Sequence, residues 1–150
     1  MNSRRKVHVV VGLAVVGAVL AFVLAACPSY RDGMSGQLAA AKEDTVSAAR
    51  SGALAIRLWA RHRSTRDLTC VQLSDARDEV VKAYDDIATL TADNPDDLSH
   101  QRLLAGRMTD LAGTLDEANA AVRAVAGLLD PQAVVQRLVD GADALERDYR

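Results

Sequence analysis

The sequence predicts an all-α fold, an up-and-down antiparallel four-helix bundle, and three observations carry that prediction. Apolar residues recur at three-four spacing in four separate stretches, the signature of a helix with one buried stripe. No stretch alternates apolar β-branched residues with polar ones, so no strand competes. Two of the breaks carry helix-start chemistry, Asn94-Pro95-Asp96-Asp97 and Asp130-Pro131. Connections this short force consecutive helices to run antiparallel.

The first element lies outside that bundle. Arg4, Arg5 and Lys6 precede an apolar run over residues 7–26 that ends in Leu24-Ala25-Ala26-Cys27, followed at once by Pro28-Ser29. A basic segment, a long apolar segment and small residues before a cut describe a secretory signal. With a cysteine directly after the cut, the segment resembles a bacterial lipoprotein signal peptide. The resemblance implies cleavage between Ala26 and Cys27, a diacylglyceryl group on the Cys27 thiol, and no residue role beyond Cys27. The run is also about the length that crosses a bilayer core, so an uncleaved span fits it as well. Both fates keep the three cations on the cytoplasmic side and the remaining chain outside. The expected division is a signal peptide over 1–26, a lipidated cysteine and flexible stalk over 27–36, and a helical bundle domain over 37–150. Arginine far outnumbers lysine, which occurs only as Lys6, Lys42 and Lys82. Together with the lipobox, this makes the chain similar to helical extracytoplasmic lipoproteins of actinobacteria.

Within the bundle, the first seam runs through Leu38, Ala41, Thr45, Ala48, Gly52, Ala55 and Trp59. Its small residues predict close helix packing. The second runs through Leu73, Ala76, Val80, Ala83, Ile87 and Leu90, and the break before it is expected near residues 63–69, where Ser64 and Thr65 offer hydroxyl caps without Gly or Pro. The third starts at Asn94-Pro95 and runs from Leu104 through Met108, Leu111, Leu115, Ala118 and Val122 to Val125 and Leu129, with Gly127 expected at its C-terminal cap. The fourth starts at Pro131 and uses Val135, Leu138, Ala142, Leu145 and Tyr149.

Removing 26 residues from 150 leaves 124, enough for one small domain. It also takes away Arg4, Arg5 and Lys6, moving the formal net charge from −2 to −5, which disfavours nucleic acid as a partner. With Cys27 acylated, Cys70 has no partner cysteine within the chain, and its neighbours Leu68 and Val71 predict burial.

Antiparallel helices put the first and third turns at the end far from the membrane and the second turn near it. Arg57, Arg61, Arg63 and Arg66 then form a basic distal tip, and Asp93, Asp96 and Asp97 an acidic base. Two readings of the tip stand: recognition of an acidic protein partner or an anionic envelope polymer, or cations that complement helix dipoles.

No catalytic or metal constellation emerges. His62 and His100 belong to opposite ends of the bundle. His62, Asp67 and Cys70 lack an oxyanion loop. Asn94 with Asp93, Asp96 and Asp97 lacks calcium-loop spacing and reads as capping. Asp85-Asp86 and Asp116-Glu117 diverge around a helix. The expected protein is therefore non-enzymatic and without cofactor or metal. It is read as an accessory or adaptor lipoprotein on the extracytoplasmic face of the cell membrane, held there by the Cys27 lipid. The alternative is a ligand-binding lipoprotein with an apolar inter-helix groove around Trp59, Gly106 and Gly113.

Overall fold

The structure, a computed structural model, describes residues 33–124 and 130–148. The lipobox, Gly127 and Tyr149 lie outside the described residues. The described chain forms four α-helices: α1 (Met34–Ala60), α2 (Arg66–Ala88), α3 (Pro95–Arg123) and α4 (Pro131–Asp148). None of them is long and apolar enough to cross a membrane.

Neighbouring helices run antiparallel. Ser74, Arg77 and Ile87 of α2 meet Asn119, Asp116 and Gln101 of α3, in descending order. On the other side, Arg107 of α3 reaches Asp148 of α4 while Glu117 reaches Arg137, and Arg50 of α1 pairs with Asp143 and Glu146. The up-and-down bundle is therefore observed, with α1 packed extensively on α2 and α4 and more narrowly on α3 across the diagonal.

The predicted stripes of α2 and α3 are buried through Ile87 and Val122 respectively. In α1 the expected seam is only half of what is buried. Val46, Ala49, Ala53 and Ile56 form a second buried stripe beside Thr45, Ala48, Gly52 and Ala55. A helix that touches three others must bury more than the usual stripe, and α1 does so mostly with alanine. Gly52 sits where all four helices meet. A Cβ there would clash with Leu115 of α3 and lie 3.7 Å from both Leu138 of α4 and Leu73 of α2.

Several boundaries differ from expectation. α1 begins at Met34, so Met34, Ser35 and Gly36 are helical rather than stalk. The first turn spans 61–65, earlier than predicted, because His62 supplies the stop that a glycine would. Its φ is +55°, and Arg63 N–H donates to Leu58 O at 2.8 Å while His62 N–H donates to Trp59 O at 2.9 Å. This pair of bonds is the Schellman closure with histidine in the left-handed position. Thr65 then caps α2, accepting from Leu68 N–H at 3.3 Å, and the buried Thr69 hydroxyl donates to Thr65 O at 2.9 Å. α3 ends at Arg123 with Ala124 already extended, and Val125 and Leu129, like Gly127, lie outside the described residues. In α4 the seam opens at Val134, with Val135 only partly buried.

Candidate functional site

The capping geometry of the second turn accounts for its acidic residues. Asn94 Oδ1 accepts from Asp97 N–H at 2.8 Å, its amide donates to Asp97 Oδ2 at 2.8 Å, and Asp96 and Asp97 face the positive end of α3. Gln101 adds what the sequence did not announce: its amide donates to Leu90 O at 3.1 Å and to Ile87 O at 2.6 Å, the latter in addition to the Leu90 N–H that Ile87 O already accepts, tying the end of α2 to α3. No local motif signals a contact made across a turn by a single glutamine. Among the described residues, no three His, Cys, Asp or Glu side chains gather as metal ligands.

Trp59, Gly106 and Gly113 do not share a groove as expected. Trp59 packs against the core from α1, whereas a Cβ on Gly106 or Gly113 would meet nothing within 4 Å. Both glycines therefore face outward on α3 and mediate no close helix contact. Gly113 does border a surface groove of about 330 Å³ between α2 and α3, lined mainly by Val80, Tyr84, Met108 and Ala112. Cys70, expected to be buried, is half-buried at the edge of the core.

The basic tip has the clearest polar character. Arg57, Arg61, Arg63 and Arg66 are all exposed. Arg57 and Arg61, one helical turn apart, line a groove of about 410 Å³ together with Pro131, Gln132 and Gln136 from the start of α4. Arg63 stands in the turn and Arg66 opens α2. None of the four has an ion pair or side-chain hydrogen bond among the described residues.

Four arginines elsewhere in the bundle are used as braces, whereas Arg102 and Arg147 are exposed and Arg123 bonds only Asn119 of its own helix. Arg50 bonds Glu146 at 2.8 Å and Asp143 at 3.1 Å, and these hydrogen bonds, Glu146 first, raise its pKa above the ordinary guanidinium value. Arg77 reaches Asp116 at 3.5 Å, Arg107 reaches Asp148 at 3.3 Å, and Arg137 reaches Glu117 at 3.0 Å. Each joins two helices. The tip arginines join none.

Helix dipoles do not account for the cluster either. The tip collects the C-termini of α1 and α3 with the N-termini of α2 and α4, so the helix ends largely offset one another. Arg57 and Arg61 suit the end of α1. Arg66 occupies the first position of α2, where a cation opposes the dipole. No protein-family model matches the chain, and no characterised protein or solved structure matches it.

Proposed function

We propose that this protein is a non-enzymatic, membrane-anchored accessory protein of a bacterial envelope, tethered through Cys27 and engaging an anionic partner with its arginine tip. The observation that supports the reading is the contrast among arginines. Four that could brace the bundle do not, and they cluster at one end of a chain whose net charge is negative. Unpaired guanidinium groups present planar donor forks suited to carboxylates or phosphates. The tether contributes by raising the effective concentration of the tip near a membrane-bound partner. With α1 of 27 residues, the tip stands roughly 40 Å from the start of the bundle.

The test replaces Arg57, Arg61, Arg63 and Arg66 with Gln in the full chain and purifies it from its own membranes in mild detergent. The expected result is loss of a stoichiometric protein or anionic polymer that the parent retains, with unchanged helicity and melting temperature. Equal retention by both proteins would overturn the reading.

The α2–α3 groove beside Tyr84 and Gly113 favours a second reading, a ligand-binding lipoprotein. Its apolar lining and volume fall at the lower end of small-molecule sites. A lipid or metabolite eluting with the parent protein and lost on Gly113→Leu substitution would support it.

A further inference from the structure

Three of the five large apolar side chains exposed among the described residues lie beside the arginine tip: Leu54 at 52%, Leu68 at 51% and Val71 at 55%. Along the helix axes they lie toward one end of the bundle. Leu54 is seven residues before Arg61 at the end of α1, and Val71 six residues after the Thr65 cap, so each lies about 10 Å from the turn along its own helix. The half-buried Leu58 and the exposed Leu68 are each three residues from those caps, about 4.5 Å from the turn. On α1, Leu54, Leu58 and Arg61 share one face at offsets of four and seven, and on α2, Leu68 and Val71 share one at an offset of three. The distal halves of α1 and α2 thus expose apolar side chains beside unpaired cations, with Asp67 near the turn and Glu43 and Glu146 in the groove that Leu54 lines.

Resting on the reading of the tip as an anion-recognition end, we infer that this surface docks a segment of a partner protein that carries acidic side chains beside apolar ones. An anionic glycan or phosphate polymer would use the arginines and leave the leucines in water. A flat anionic bilayer meeting the tip would touch Arg61, His62, Arg63, Ser64 and Thr65 first, since the apolar residues lie down the side. A bilayer lying along that side would meet Asp44, Glu79 and Asp86, which with the single cation Lys82 line the α1–α2 surface nearer the other end. A short amphipathic protein segment confined to the distal end satisfies both the leucines and the arginines.

The test places a photo-reactive amino acid in the full chain, in its own cells, at Leu54, Leu68 or Val71. Ala60, exposed in the arginine groove, serves as a second tip position and Gly106, exposed and facing open space, as a remote control. The expected outcome is about tenfold more adduct at the apolar positions than at Gly106. The cross-linked peptides should carry Asp or Glu within a helical turn of apolar residues, and adducts should be lost on Arg57, Arg61, Arg63 and Arg66→Gln. Adducts of lipid or glycan mass at Leu54, Leu68 and Val71, or yields equal to the Gly106 control, would overturn the inference. Adducts at Ala60 alone would leave the anion-recognition reading standing while sinking this one, and none at either place would sink both.

Discussion

His62 ends α1 with a φ of +55°, a region where a Cβ is crowded and glycine is not, and the bonds around it are those that glycine usually makes. Replacing it with Gly should raise stability by about 1 kcal/mol, read from urea denaturation. The glycines of the bundle divide by what surrounds them. Gly106→Ala and Gly113→Ala fill open space on a helix and should each stabilise by up to about 1 kcal/mol. Gly52→Ala receives the same helix-forming benefit but pushes into Leu115, whose neighbours Leu138 and Leu73 leave little room to yield. Overpacking costs about 1–3 kcal/mol, so the net effect should be a loss of about 1 kcal/mol. Opposite signs for Gly52 and Gly113 in one denaturation series would check the packing directly. For Arg50, the raised pKa means that its contribution is present below the ordinary guanidinium value and lost only as pH rises through the folded one. No weakening from this group is expected within the physiological range.

Among the helices, starts were more legible than stops. Asn94-Pro95 and Asp130-Pro131 announce α3 and α4 because caps and N1 prolines act locally, within four residues. The end of α1 was not legible, since its closure depends on a histidine in a conformation that no residue pattern demands. The second buried stripe of α1 was hidden for another reason. Alanines at positions 49 and 53 are scarcely more apolar than a neutral surface, and only the presence of three neighbouring helices commits them to the interior. Asn94→Ala should cost about 1 kcal/mol through loss of the cap to Asp97. Gln101→Ala should cost a similar amount, about 1 kcal/mol, because it removes the hydrogen bonds from α3 to the Ile87 and Leu90 carbonyls at the end of α2. Both are measurable by thermal melts, and amide exchange at the end of α2 should quicken for Gln101→Ala alone.

Across the bundle, the topology turns scattered charges into a polarised object. Capping explains the acidic end, while the basic end has neither braces nor uniformly favourable dipoles to explain it. The residues of that tip were readable as a cluster, since they lie within ten positions of one another around a turn. Their freedom from ion pairs was not readable, because carboxylates such as Asp143 and Glu146 are distant in sequence and select Arg50 only once α4 is docked. The leucines beside the tip were equally hidden, for Leu54, Leu68 and Val71 read as ordinary apolar positions until the core is seen to be complete without them.

The central place of α1 also sets an order of events in the life of the chain. It is the first of the four helices to be synthesised, yet it packs extensively on α4, the last, and its stripe of Val46, Ala49, Ala53 and Ile56 runs beside Arg50, which pairs with Asp143 and Glu146 of α4. Whatever emerges from the ribosome before residue 131 therefore carries a helix whose final partner does not yet exist. Closure of the bundle is postponed until nearly the whole chain is available. A chain ending after Arg123 should accordingly expose that stripe, bind hydrophobic dyes and self-associate, whereas the full-length protein should not.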